Sequence, residues 1–220
     1  FWLTDQSALA DWIDRVFGPR KYYLISLVIM LYALLPFFMA FEGRKPEVRE
    51  LVVLATMIAL ATAGRAAFFM TPSFKPIIAI VIISAIAFGA EAGFLVGSMT
   101  MLVSNFLFGQ GPWTPWQMFA MGFIGFLSGI LYRLRILPTK RLQLSVYGFL
   151  VTFMIYGGIM NPAALFMSVY QFSWSGLLAI YISGVPVDLV HASSTFLFLW
   201  IGAKPLLEKL QRIKVKYGLL

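Results

Sequence analysis

What most constrains this chain is a succession of long apolar windows joined by short connections. They run Lys21–Phe41, Val48–Gly64, Pro76–Phe88, Ala92–Phe108, Trp116–Leu134, Leu142–Met160, Ala164–Ser183 and Leu189–Ala203. A helix crossing the hydrocarbon core of a bilayer needs about 20 such residues. Backbone N–H and C=O groups meet no water there, so helices, which satisfy their own backbone, are the form these windows take. Hydrophobic residues make up 60% of the 220 residues and charged residues 12%. A water-facing surface cannot be built from that mixture, and the fold class is an all-α polytopic membrane protein. Disorder and nucleic-acid binding are excluded on the same ground. The net charge of +8 comes from basic residues set between the windows, where they orient the helices and meet anionic headgroups. No cysteine is present, which removes disulfides, thiol catalysis and Cys-rich metal sites.

The windows divide the chain. Residues 1–18 read as an amphipathic helix. Leu9, Trp12, Ile13, Val16 and Phe17 share one face, Ser7 is a cap and Gly18-Pro19 a stop. This helix either lies along the membrane interface or packs on the next helix, and it is too charged for the core of a signal peptide. Residues 21–41 form an additional N-terminal transmembrane helix. Residues 48–205 form a six-helix core, and 206–220 a basic tail. Pro76–Phe88 is too short for a full span and either gains a turn at each end or lies partly within protein.

Charge orients the stack. Arg133, Arg135, Lys140 and Arg141 crowd one connection, and Lys204, Lys209, Arg212, Lys214 and Lys216 crowd the C-terminal segment. Both clusters are expected in the cytoplasm. An even number of crossings then separates them, yet three windows lie between. The middle one, which follows Asn161-Pro162 and carries Tyr170, Gln171, Ser173, Trp174 and Ser175, reads as an interfacial or re-entrant piece. Counting back places connections near 66–75, 109–115 and 161–175 outside, and those at 42–50 and 89–93 inside.

Two kinds of pattern bear on function. Ala55, Ala59 and Ala63 repeat every four residues and form a small-residue stripe that admits close helix approach, either within the bundle or to a partner. Gly93, Gly97, Gly122, Gly125 and Gly129 make similar surfaces, read as internal. The three outer connections mix aromatics with amides and hydroxyls. That mixture suits an organic ligand with a large apolar body and several polar groups, and it also suits an interfacial aromatic belt. The candidate ligand contacts are Phe69, Lys75, Asn105, Gln110, Trp113, Trp116, Tyr170 and Gln171.

The remaining polar residues read more plainly. Glu91, in the Gly89–Gly93 turn, is a helix-end carboxylate facing water or a partner. Asp188 and His191 lie three apart on one face and read as a helix cap and a hydrogen-bonded polar pair near the outer interface. With a single His and no Cys they do not make a metal site. Ser193 and Ser194 lack the loop a serine nucleophile needs. No Gly-rich phosphate loop with Lys is present, so the chain is not read as hydrolysing nucleotide itself, and a membrane-embedded enzyme built around His191 lacks partner chemistry.

Several stretches resemble the substrate-binding membrane subunit, or S component, of energy-coupling factor (ECF) transporters. They are Gly64-Arg65-Ala66-Ala67-Phe68-Phe69, Phe74-Lys75-Pro76, Ala87–Gly97, Ser104-Asn105-Phe106, Phe108–Gln117 and Gly184–Leu189. The resemblance implies a six-helix core that captures a vitamin on its outer side and has no catalysis or cofactor of its own. It implies a transmembrane coupling (T) subunit and two cytoplasmic ATPase subunits as partners, with ATP consumed by the latter, in the cell membrane of a prokaryote. It assigns Ala55, Ala59 and Ala63 to the coupling-subunit interface. The Gln110–Trp116 loop looks most like the cobalamin-specific type, so cobalamin is the first expected ligand, with other vitamins or precursors behind it. The helix at 21–41 departs from the family pattern. The rival reading, a stand-alone secondary transporter, lacks convincing internal repeats and has only Glu91 and Asp188 as coupling carboxylates.

Overall fold

The computed structural model describes residues 21–168 and 173–218, with side chains from residue 27 onward; the expected helix at 1–18 lies outside the described residues. The elements are α1 (Lys21–Gly43), α2 (Val48–Ala67), α3 (Ile77–Phe88), α4 (Ala90–Phe108), α5 (Thr114–Arg133), α6 (Arg141–Val151), a π-helical turn (Thr152–Tyr156), α7 (Gly157–Ser168) and α8 (Trp174–Tyr217). Among the described residues, five helical stretches are long and apolar enough to cross a membrane, with α6, the π turn and α7 counting as one. The chain is an all-α polytopic membrane protein.

Side-chain ties show which connections share an end. Arg44 pairs with Glu50 and, at 3.4 Å, with Glu91, joining the α1–α2 connection to the α3–α4 turn. Lys214 donates to the Ala87 carbonyl at 2.7 Å, where α3 leaves its last carbonyls open. Arg141 stacks over the Trp200 ring at 5.3 Å. Both basic clusters therefore gather at one end of the bundle, and Glu91 is an ion-pair partner there. At the other end, Arg65 reaches Ser104 and Asn105, Asn105 reaches Thr114 and Gln117, and Ser194 reaches the Lys75 carbonyl.

Helix α3 has the second of the two fates expected of it. All twelve of its residues are buried. At about 1.5 Å per residue it reaches about 18 Å, well short of a bilayer core of about 30 Å. Its lipid is replaced by neighbouring helices, so its length is set by packing. Gly89, at φ 96°, turns the chain directly into α4. Helices α4 and α5 then pack backbone to backbone, because a Cβ on Gly97 would stand 2.4 Å from the Met121 carbonyl oxygen and one on Gly125 2.3 Å from that of Gly93. These glycines are internal, as their spacing implied. Helix α1 joins the bundle through aromatics, with Phe37 stacked on Phe94 at 4.1 Å and edge-on to Phe126 at 5.0 Å.

The window at 164–183 is not a re-entrant piece. Its first residues complete α7 and its last begin α8, whose first turn is capped by Ser173 accepting from the Gly176 N–H at 3.1 Å. Two long helices thus separate the basic clusters, which satisfies the even count. Asn161-Pro162 reads as a break because proline cannot donate to the carbonyl four residues back. Here Tyr181 from α8 donates its hydroxyl to that carbonyl, Gly158, at 3.0 Å, and the helix continues. On α2, Leu54, Met57 and Ala61 are buried, whereas Ala55, Ala59 and Ala63 face outward. The alanine stripe is exposed on the outer face of α2.

Candidate ligand-binding cavity

A cavity of about 460 Å³ lies at the end opposite the basic clusters. That volume falls within the range of about 300–1,000 Å³ typical of small-molecule sites. Helix α2 contributes Arg65 from its last turn, and the connection to α3 contributes Ser73 and Lys75. Helices α4 and α5 supply Met101, Gln117 and Met121. The π turn supplies Tyr156, α7 supplies Met160 and Asn161, and α8 supplies Ser183, Asp188 and His191. The wall therefore mixes three methionines with hydrogen-bonding and charged side chains.

Local chemistry fixes these side chains. The Arg65 guanidinium donates through one nitrogen, Nη1, to Ser104 Oγ at 2.6 Å and Asn105 Oδ1 at 2.7 Å, and it stacks over Phe108 at 5.1 Å. Asn105 is fully buried and donates onward to Thr114 at 3.0 Å and Gln117 at 2.8 Å. Across the cavity, the Asn161 amide donates to the Asp188 carboxylate at 2.8 Å. Two glycines make that pair possible: a Cβ on Gly157 would meet Asp188 at 2.6 Å, and one on Gly184 would meet Asn161 at 2.5 Å. The Tyr156 ring meets His191 edge-on at 4.9 Å. The π turn widens the helix by one residue just before Tyr156, and such turns recur at functional sites. In the α2–α3 connection, burial, followed by the nearby Arg65 charge, pushes the Lys75 ammonium below its ordinary pKa.

The structure distributes the expected contacts unevenly. Lys75 lines the cavity. Asn105 stands behind the wall and holds Arg65 and Gln117. Phe69 is exposed and stacks on Phe108 at 5.3 Å. Gln110 bridges the ends of α4 and α5, donating to the Leu102 carbonyl and accepting from Thr114. Trp113 is 40% exposed, and its indole covers Gly111. Trp116 is buried in a separate apolar cluster with Met30 and Ala163, stacked near Phe166. Tyr170 and Gln171 lie outside the described residues. Asp188 is not a helix cap: it sits fourteen residues inside α8, which begins at Trp174, and its partner is Asn161 rather than His191. The signal that marks it in the sequence is its isolation, since it is the lone formal charge between Leu142 and Ala203. An ionisable group in a membrane span is a functional site by default.

A family model described as "ECF-type riboflavin transporter, S component" matches residues 45–212. The chain belongs to this family. The match covers α2 through most of α8 and omits α1, the helix that departed from the resemblance. No curated protein and no solved structure matches. The chain is thus a vitamin-binding S component of an ECF transporter, a class of transport subunits and not of enzymes. The narrower cobalamin expectation finds no support, because the family's description names riboflavin. Groups of three or more metal-ligating side chains are absent among the described residues of this S component.

Proposed function

We propose that this S component captures a compact vitamin from outside the cell and hands it to an ATP-driven coupling complex. One observation carries the reading: a walled, partly polar cavity opens at the end of the bundle opposite both basic clusters. The positive-inside rule makes the clustered end cytoplasmic and the cavity end external. Riboflavin is the first ligand to test. Its flat ring system suits a wall of Tyr156, His191 and three methionines, and its amides and hydroxyls suit Gln117, Asn161 and Asp188.

The outward stripe of Ala55, Ala59 and Ala63 is then the face on which a T subunit docks, and two ATPase subunits on the cytoplasmic side supply the energy. The setting is the plasma membrane of a prokaryote. Lys75 contacts ligand directly, and Asn105 acts through Arg65. Phe69, Gln110 and Trp113 stand outside the cavity wall and Trp116 packs in a separate cluster, so none of the four is expected to touch the ligand directly.

The test is quenching of riboflavin fluorescence by the solitary, detergent-purified subunit. Asn161→Leu removes one hydrogen-bonding wall group and is expected to weaken binding by roughly 10-fold or more. Tyr156→Leu is expected to do the same through lost ring contact. Binding that survives both substitutions unchanged rejects the cavity. Binding of a different vitamin in place of riboflavin keeps the cavity and replaces the ligand.

A further inference from the structure

The charges of the cavity do not balance. Arg65 and Lys75 both line it, and neither forms an ion pair with any described residue. Arg65 spends only Nη1 on neutral partners, Ser104 and Asn105. A guanidinium carries five N–H donors, so those on Nη2 and Nε stay unspent. Lys75 gives one long contact, 3.3 Å, to the Thr71 carbonyl and has two further donors. The one carboxylate of the wall, Asp188, is held by Asn161 and forms no ion pair with either cation. Two cations half-withdrawn from water and left without a counter-charge are costly, and the cost rises when a ligand displaces the remaining water.

Resting on the vitamin-capture reading above, we propose that the transported ligand carries an anionic group, a carboxylate or a phosphate, which docks on Arg65 and Lys75. A neutral ligand, riboflavin itself included, would bury both cations uncompensated, so riboflavin 5′-phosphate is expected ahead of riboflavin. An anion accepts the unspent donors, and Nε with Nη2 of a guanidinium anchored through Nη1 on Ser104 and Asn105 form a fork that can make two parallel bonds to it. The rest of the ligand extends towards Tyr156 and Asn161.

The experiment compares matched pairs that differ by the anionic group: riboflavin with riboflavin 5′-phosphate, nicotinamide with nicotinate, and panthenol with pantothenate. Calorimetry is run on the ligand-free subunit in detergent and again in phosphatidylcholine nanodiscs. In whichever pair binds, the anionic member is expected to bind tighter by roughly 10-fold or more, a margin that narrows as salt rises. Lys75→Gln, whose parent ammonium holds only the Thr71 carbonyl, is expected to bring the pair within about 3-fold, and Lys75→Arg to restore the margin. A neutral member that binds as well as its anionic twin overturns the proposal and leaves vitamin capture standing. Preference lost in nanodiscs alone assigns the two cations to a lipid headgroup phosphate and also overturns it. Binding of no member of any pair overturns this proposal together with riboflavin as the ligand.

Discussion

Substituting Gly184 by Ala should separate binding from folding. The new Cβ would stand 2.5 Å from Asn161 Oδ1 and 3.0 Å from its Cγ. Carbon contacts relax at about 3.5–4.0 Å, so the amide must retreat by roughly 1 Å. The 2.8 Å bond from Asn161 to Asp188 then stretches beyond hydrogen-bonding range. A hydrogen bond to a charged group contributes about 1.5–3 kcal/mol, and a ligand held by that pair is expected to lose roughly 10- to 150-fold in affinity. The fold should barely notice. The displaced atoms are the far end of one side chain, water in the cavity replaces the lost bond, and Ala favours a helix over Gly by about 0.5–1 kcal/mol. Gly97→Ala is the contrasting control. There the Cβ meets the Met121 backbone at 2.4 Å, which cannot rotate away, so α4 and α5 must part. Overpacking of that kind costs about 1–3 kcal/mol and should lower the melting temperature. The assay is thermal unfolding followed by size-exclusion fluorescence, with calorimetric affinity for the tightest-binding vitamin on the same samples. If Gly184→Ala binds like the parent, the Asn161–Asp188 pair is not part of the binding wall.

Two further outcomes test the partner face and the orientation. Ala59→Trp places an indole on the outward stripe of α2, so ligand affinity of the solitary subunit is expected to stay within about 2-fold while ATP-dependent uptake is lost; normal uptake with an intact complex would free this face from docking. Thr139 and Gln110 are exposed at opposite ends of the bundle. With no native thiol to interfere, Gln110→Cys is expected to react with an impermeant reagent on intact cells and Thr139→Cys only after lysis; the reverse pattern inverts the topology.

The elements that were legible beforehand are those governed by one-dimensional quantities. Window length and hydropathy located the helices, charge clustering assigned both basic segments to one end, and four-residue spacing singled out the alanine stripe and the glycine seams. These signals survive because each depends on a residue's own solvation or size, whatever it packs against. The reading at Asn161-Pro162 went astray for the opposite reason. A proline breaks a helix only if the carbonyl it abandons stays unpaired, and the donor that rescues Gly158 is Tyr181, from the next helix.

The cavity shows the same division. The sequence by itself determined that polar and aromatic side chains concentrate in the outer connections, that a carboxylate at 188 and a lone His at 191 interrupt an apolar stretch, and that the chain resembles an S component. Only the tertiary structure decided which of these groups face one another. Trp113, prominent in the loop, covers Gly111 and Gln110 bridges the ends of α4 and α5, while Asn161, Tyr156 and Asp188 converge from three elements. That convergence depends on Gly157 and Gly184 letting α7 and α8 approach, and on a π turn that rotates Tyr156 inward. Such contacts join residues 23 or more positions apart. They are set by helix-to-helix distance and rotation, and no local propensity encodes either.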